Sequence, residues 1–195
     1  NRNKFYKNIK IINKPNKIDV LVNKNNKLDK FYKPNDLVKL SELYSNKDKY
    51  MRHDAAINFE KMSRDALLDG YKIVAVSTYR SYFYQQELFN YYVKIMGIKK
   101  ALKASAKEGH SEHQTGLSVD VMGSNNDYNN FEKTPEFKWM MNNAYKYGFI
   151  LRFPKGKEHI TGFKYEPWHY RYVGKRIAKI IYKNNITLEE YKKTR

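Results

Sequence analysis

Residues 111–122 of the chain, SEHQTGLSVDVM, decide how it folds. Apolar residues alternate at positions 117, 119 and 121, which is typical of a strand buried on one face. Because successive strand side chains point to opposite faces, Asp120 points away from its apolar neighbours. A carboxylate in the middle of a strand is costly to bury unless it is paired or bound to a metal. A turn at Gly116 that folds His113 back over the strand brings an imidazole next to this carboxylate. A simpler alternative for Asp120 is a strand-end residue that caps a turn.

A second short segment, EPWH, supplies the other groups of a candidate metal site. Glu166 and His169 are separated by two residues, and the proline between them restricts the local backbone. Zinc binds imidazole and carboxylate, and three protein ligands leave its fourth position open, as in catalytic sites. His113, Asp120 and His169 form such a set, with Glu166 as the general base on a zinc-bound water. Each spacing is common in proteins, so a surface loop around a buried Trp168 is the alternative for this segment.

Apolar periodicity predicts helices and strands interleaved along the rest of the chain. The expected strands are residues 18–22, 73–77, 117–122, 149–153 and 169–173, and the expected helices are residues 51–70, 81–97, 135–147 and 175–184. This irregular order favours an α+β fold: a single compact domain with a small, mainly antiparallel sheet flanked by helices, and the zinc site in a groove over the sheet. We expect residues 1–40 to form a basic N-terminal arm that packs on a catalytic domain of residues 41–195.

Composition limits the classes of protein and of partner. With 195 residues, 41% of them hydrophobic, the chain is long enough for one well-buried domain. Its net charge of +18 attracts polyanions, including nucleic acid and the anionic polymers of bacterial cell walls, although a solvated basic surface is the simpler alternative. The absence of cysteine excludes a disulfide framework and a thiol catalyst. No apolar run approaches the ~20 residues needed to span a bilayer.

Taken together, the two motifs resemble those of a known family. The pattern S-x-H-x-x-G-x-x-x-D, with E-x-x-H about forty-five residues later, is similar to that of the VanY-type zinc D-alanyl-D-alanine carboxypeptidases, which include L,D-carboxypeptidases. The resemblance covers roughly residues 15–180. It implies that His113, Asp120 and His169 hold Zn²⁺ and that Glu166 is the base.

A third segment, TYRSY with a glutamine beyond it, extends the resemblance. The matching arginine of the family contacts the substrate or the developing oxyanion, which implies a catalytic and substrate-binding role for Arg80. The resemblance likewise implies that Gln85 and Ser111 bind substrate. Ser118 and Thr78 stand where many members have alanine and glycine, and neither is an expected ligand.

The resemblance implies hydrolysis of the C-terminal D-alanine from peptidoglycan stem peptides. The alternatives are an L,D-carboxypeptidase acting on tetrapeptide stems and a non-catalytic metal module that binds the cell wall. We expect a monomer that acts outside the cell, in the wall or on the outer face of the membrane, with any membrane contact made through an upstream anchor. Nucleic acid is not an expected partner, since no nucleic-acid reading motif is recognisable.

Overall fold

A small antiparallel sheet flanked by helices forms the centre of the protein. The computed structural model describes residues 4–125 and 130–194. The strands in chain order are β1 (Lys10–Ile11), β2 (Asn26–Lys27), β3 (Leu37–Lys39), β4 (Tyr50–Arg52), β5 (Val74–Ser77), β6 (Ser118–Met122), β7 (Phe149–Leu151) and β8 (His169–Tyr172).

The central sheet has the strand order β5-β6-β8-β7, and each neighbouring pair is antiparallel. Two small pairs accompany it, β3 with β4 antiparallel and β1 with β2 parallel. The predicted α+β class with a small, mainly antiparallel sheet is therefore confirmed.

Helices and short 3₁₀ turns flank this sheet. They are α1 (His53–Leu68), α2 (Tyr82–Met96), α3 (Ile98–Ala104), α4 (Pro135–Asn143), α5 (Glu158–Thr161), α6 (Lys175–Asn184) and α7 (Leu188–Lys193), with 3₁₀ turns at Glu112–Thr115, Phe131–Lys133 and Ala144–Tyr147. No helix within the described ranges is long and apolar enough to cross a membrane.

Helix α1 contributes one face to the main hydrophobic core. Its buried residues recur at the spacing of a helix that is apolar on one side: Ala55, Ala56, Phe59, Met62, Ser63 and Ala66. The ring of Phe59 meets Phe149 of β7 edge-on, with centroids 6.0 Å apart. The helix predicted over residues 51–70 is thus found at His53–Leu68.

The register of the central strands places the candidate metal ligands side by side. All five residues of β6 are buried, so this strand lies in the core on both faces. Asp120 of β6 pairs with His169 of β8 and, on its other side, with Ser77 of β5. Two residues that are far apart in sequence therefore meet through strand pairing alone.

Gly116 makes the turn that returns His113 to the sheet. It has a φ of +67°, in the left-handed region that favours glycine. A Cβ at this position would lie 2.8 Å from a methyl carbon of Leu37 and 3.1 Å from Cγ of Arg52. The position therefore needs glycine both for its backbone angle and for the space around it.

The strand predicted at residues 18–22 is wrong. Residues 18 and 19 lie in a turn, closed by the Val20 amide, which donates to the Lys17 carbonyl at 3.1 Å, and residues 20–22 have no regular secondary structure. Instead of a neighbouring strand, the guanidinium of Arg171 donates to the carbonyls of Ile18 and Val20, both at 2.8 Å. The division into an arm of residues 1–40 and a catalytic domain of residues 41–195 stays a prediction.

Candidate metal centre and substrate groove

Three buried side chains converge on one point beside β6 and β8, the two central strands of the sheet. Donor atoms of His113, Asp120 and His169 all lie within 4.8 Å of one another, and none of the three residues is more than 8% exposed. The donor set of two imidazoles and one carboxylate is one that zinc accepts. The residues that the sequence predicts as ligands are thus brought together.

His113 lies in the 3₁₀ turn before β6 and presents one ring nitrogen to this point. Its Nδ1 is 2.7 Å from the Thr78 carbonyl oxygen, which can only accept, so Nδ1 carries the hydrogen. Nε2 is left with its lone pair directed toward Asp120, at 3.4 Å from Oδ1. Burial, together with the charge of Arg80, lowers the pKa of His113 to about 4, so the imidazole is neutral at pH 7.

Asp120 and His169 form the closest contact among the three candidate ligands. Nδ1 of His169 lies 2.8 Å from Oδ1 of Asp120. Burial alone raises the pKa of Asp120, but the neighbouring His113 and His169 outweigh it and hold that pKa well below its usual range. Burial lowers the pKa of His169, but hydrogen bonds to Asp120 and Glu112 outweigh it and raise the pKa to about 9. A metal that binds Nδ1 therefore displaces a proton.

Glu166 lies beside the three ligands without joining them. Its Oε2 is 3.8 Å from Nδ1 of His169, and its backbone amide donates to the Phe153 carbonyl at 3.1 Å. Burial raises the pKa of the Glu166 carboxyl to about 7, although the charge of His169 lowers it. A carboxylate with a pKa near neutrality, next to three candidate metal ligands, has the properties of a general base.

Arg80 reaches the site from the segment after β5, and its guanidinium is fixed on two sides. Its Nη1 donates to Ser77 Oγ at 2.7 Å, and its Nε donates to Gln85 Oε1 at 3.0 Å. The same Nη1 lies 3.9 Å from Oδ2 of Asp120. Two neutral partners thus fix the guanidinium in the groove, with the carboxylate of Asp120 close by.

Gln85 is placed differently from the substrate contact that the resemblance implies. It is fully buried in α2 and does not line the groove. Its amide nitrogen donates to the Ala106 carbonyl at 2.8 Å and to Ser105 Oγ at 3.2 Å, while its oxygen holds Arg80. Gln85 therefore contacts Arg80, which lines the groove, and not the groove itself.

The ligands lie in a groove over the sheet with a volume of about 430 Å³. Ser111 lines this groove, and its Oγ accepts a hydrogen bond from the His113 amide at 3.3 Å. Further walls come from segments that are remote in sequence: Val22, Leu88, Tyr92, Ala104, Phe153 and Phe163. Of the aromatic residues in the two motif segments, Trp168 lines the groove.

One functional candidate, Glu112, is missed by reasoning from the sequence. It is fully buried next to His113, and its Oε2 lies 3.5 Å from Nε2 of His169. Its Oε1 accepts hydrogen bonds at 2.7 Å from both Arg152 and Arg171. The sequence does contain one signal that could have indicated it: Arg152 and Arg171 each lie in a predicted strand. A buried arginine requires an acidic residue nearby.

Known proteins are similar to this chain. The family model for VanY, described as D-alanyl-D-alanine carboxypeptidase, matches residues 48–175. YodJ of Bacillus subtilis (strain 168), which is named as a carboxypeptidase, is 44% identical over 190 residues, covering 94% of this chain and 70% of YodJ.

Two solved structures give the same result. The LD-carboxypeptidase LdcB has a TM-score of 0.90 and 45% sequence identity, covering 96% of this chain and 91% of that chain. A mutant of the vancomycin resistance D,D-pentapeptidase VanY, solved in complex with Zn(II), has a TM-score of 0.77 and 32% identity, covering 89% of this chain and 97% of that chain. With a family match across most of the chain and the expected ligands gathered at one point, this protein belongs to the VanY family of D-alanyl-D-alanine carboxypeptidases.

Proposed function

We propose that this protein hydrolyses the C-terminal D-alanine of peptidoglycan stem peptides at a zinc ion held by His113, Asp120 and His169. The observation that carries the proposal is the convergence of these three buried donors at one point of an open groove, with Glu166 beside them. Three protein ligands leave a tetrahedral ion one open position, whereas a structural zinc site is closed by four. Bound zinc supplies the Lewis acidity that polarises a carbonyl and makes water nucleophilic near neutral pH.

Glu166 is the proposed proton carrier of the reaction. In its ionised form it takes a proton from the attacking water, and it then delivers that proton to the leaving amine. Its position 3.8 Å from a ligating nitrogen of His169 keeps it close to the reacting atoms. An intact base beside an open metal position also argues against a non-catalytic cell-wall-binding module.

Arg80 is the proposed electrostatic partner of the substrate. A C-terminal residue carries a carboxylate, and the tetrahedral intermediate of peptide hydrolysis carries an oxyanion, so both require a fixed cation. Ser77 and Gln85 hold the guanidinium at the groove without neutralising it. Gln85 thus contributes to substrate binding through Arg80, and Ser111, which lines the groove, contributes to it directly.

L,D-cleavage of tetrapeptide stems is a second candidate, and one observation favours it. The structure of the LD-carboxypeptidase LdcB is more similar to this chain, with a TM-score of 0.90, than that of the D,D-pentapeptidase VanY, with 0.77. Both candidates use the same metal centre and the same base. They differ in the configuration of the residue before the scissile bond, which the groove walls must recognise.

The deciding experiment is incubation of the zinc-loaded protein with synthetic tetrapeptide and pentapeptide stems, followed by mass spectrometry of the products. Loss of D-alanine from the pentapeptide alone supports D,D-cleavage, and loss from the tetrapeptide alone supports L,D-cleavage. Release from neither peptide contradicts the proposed function. A chelator should abolish the release, and added Zn²⁺ should restore it.

We also propose that the basic surface holds the enzyme against anionic cell-wall polymers outside the cell. Helix α6 has no acidic residue, and Lys175, Arg176, Lys179 and Lys183 are all exposed on it. Binding to isolated cell walls should weaken with added salt, because screening reduces the attraction between exposed charges. Salt-insensitive binding would contradict this part of the proposal.

A further inference from the structure

Four charged side chains form a fully buried cluster directly behind the metal centre. Glu112 and Glu189 carry the negative charges, and Arg152 and Arg171 carry the positive ones. None of the four residues is more than 6% exposed. Arg152 donates to both oxygens of Glu189 at 2.8 Å and to Glu112 at 2.7 Å. Two positive and two negative charges balance, which is the condition under which burial of such groups is tolerated.

The two oxygens of Glu112 have different partners. Oε1 accepts the hydrogen bonds of both arginines, each at 2.7 Å. Oε2 faces the metal centre and lies 3.5 Å from Nε2 of His169, at the long end of hydrogen-bonding distance. Because the guanidinium groups occupy Oε1, Oε2 is left to accept from the imidazole.

The ring of His169 is oriented so that its two nitrogens serve opposite sides. Nδ1 lies 2.8 Å from Asp120 Oδ1, on the side of the proposed metal position, and Nε2 points back toward Glu112. A histidine that binds a metal through one nitrogen carries its hydrogen on the other, and the partner of that hydrogen fixes the ring and the tautomer.

We infer that Glu112 is a positioning residue of the metal centre: it accepts the Nε2–H of His169 and so directs the Nδ1 lone pair to the metal. Arg152 and Arg171 hold its carboxylate in place. This inference rests on the metal site of the proposed function, not on the choice of substrate.

The two histidine ligands are then held by unlike partners. Nδ1 of His113 donates to a backbone carbonyl, that of Thr78, at 2.7 Å. His169 faces a carboxylate, which accepts more strongly than a carbonyl and makes the imidazole a more basic ligand. His169 is therefore the ligand whose metal affinity depends on a side chain that substitution can change.

The cluster also connects the metal centre to both ends of the described chain. Arg171 donates to the carbonyls of Ile18 and Val20 near the start, and Glu189 belongs to α7 near the end. Both contacts lie outside residues 48–175, which the family model matches. The terminal segments thus help to hold Glu112, and through it His169.

The first test compares Glu112→Gln with a matched control, Glu136→Gln. Glu136 is also buried and accepts hydrogen bonds from the backbone and side chain of Ser124, but it does not line the groove. We expect Glu112→Gln to weaken zinc binding by about 10- to 100-fold, measured by competition with a chelator. We also expect it to alter the visible absorption spectrum of the Co²⁺-loaded protein, and Glu136→Gln to retain the wild-type affinity and spectrum.

A folded Glu112→Gln protein with wild-type zinc affinity and Co²⁺ spectrum overturns the inference. So does a variant that only melts earlier, since this outcome shows a structural role alone.

A second measurement needs no variant and applies even if Glu112→Gln fails to fold. Nitrogen-15 NMR of the zinc-loaded wild-type protein should show the hydrogen of His169 on Nε2 and the metal on Nδ1, and the opposite tautomer overturns the inference. Neither readout involves peptide hydrolysis. A failure to release D-alanine would therefore contradict the proposed function and leave the role of Glu112 standing.

Discussion

The two walls of the groove are built in different ways. The metal wall consists of β6, β8 and the 3₁₀ turn that carries His113, and all residues of both strands are buried. The substrate wall includes residues of α2 and the end of α3, and α2 buries only Gln85 and Phe89 along its 15 residues. The side chains proposed to bind the metal are fixed by the hydrophobic core. Part of the surface proposed to contact the peptide is instead a helix with few buried residues.

This difference separates the reaction from the choice of substrate. A residue in the metal wall cannot change without disturbing strand pairing or the buried charges behind it. An exposed or half-buried position on α2, such as Tyr92, can change at little cost to stability. It is therefore reasonable that a D,D-pentapeptidase and an LD-carboxypeptidase are both similar in structure to this chain. The predictions below test each wall in turn.

The largest expected effect comes from Glu166→Gln, in the segment that leads into β8 beside the metal wall. Glutamine keeps the size of the side chain but cannot carry the proton, so we expect kcat to fall by about 10²- to 10⁴-fold with zinc still bound. Steady-state kinetics and metal analysis of the purified variant measure both quantities.

Glu158→Gln is the control, since Glu158 is exposed on α5 and does not line the groove. It should retain wild-type rates. A Glu166→Gln enzyme with near-normal kcat would show that another group is the base.

The next effect in size lies at the junction of the two walls, from Arg80→Ala. Loss of the fixed cation should lower kcat/KM by about 10²- to 10³-fold, as for removal of one oxyanion-stabilising donor. Zinc affinity should change little, because the guanidinium is 3.9 Å from Asp120 and is not a ligand.

Gln85→Leu sharpens this test, because it removes the hydrogen bond that orients Arg80 but leaves the charge. We expect a smaller loss of kcat/KM than for Arg80→Ala. An equal loss in the two variants would instead show that the charge of Arg80 contributes nothing unless Gln85 orients it.

The candidate ligands of the metal wall could be predicted from the sequence. The buried charges behind them, Glu112 with Arg152 and Arg171, could not. The ligands lie in two contiguous motifs, and the alternation around Asp120 already placed it in a buried strand. Glu112 lies in the same motif, but its partners Arg152 and Arg171 are 40 and 59 residues away. No local pattern connects such residues, because the contact arises only when β8 pairs beside β6.

The same reason explains the wrong strand at residues 18–22. Its apolar β-branched pattern is a correct description of local preference. Tertiary contact decides otherwise, because the guanidinium of Arg171 binds two of the carbonyls that a neighbouring strand would need. Helix α1 was predictable because its buried stripe and the glycine that follows its last turn, Gly70, are both local features.

A pH effect on activity should follow from the burial of Glu166. Burial raises its pKa to about 7, and only the ionised form accepts a proton. Activity is therefore present above this pKa and lost as the pH falls through it, by up to about tenfold per pH unit. Bound zinc favours the ionised form, so a pH of about 7 is the upper limit for this decline.

The measurement is kcat/KM between pH 5 and 9, with the melting temperature recorded at each pH. A kcat/KM that rises as the pH falls from 7 to 5 in a folded enzyme would contradict the assignment of Glu166.

The smallest effect is expected on the substrate wall, from Lys24→Met. The buried ammonium of Lys24 donates to the carbonyls of Leu102 in α3 and Gly162, and it lies 4.3 Å from the ring centroid of Phe163, which lines the groove. Methionine fills the same space without these bonds. We expect KM to rise severalfold, with kcat and zinc affinity unchanged, and Lys100→Met on the exposed face of α3 to leave all three at wild-type values.

Lys24 also provides a measure of stability that is independent of activity. Burial lowers its pKa from 10.5 to about 8, so the folded protein loses the proton before the unfolded chain does. The cost of burying the charge is present below pH 8 and disappears as the pH rises from 8 to 10.5. The free energy of unfolding of the wild type should therefore rise relative to Lys24→Met over this window, by up to about 3 kcal/mol. A constant difference between the two proteins would mean that the ammonium is solvated, and that the substrate wall is still looser than its contacts indicate.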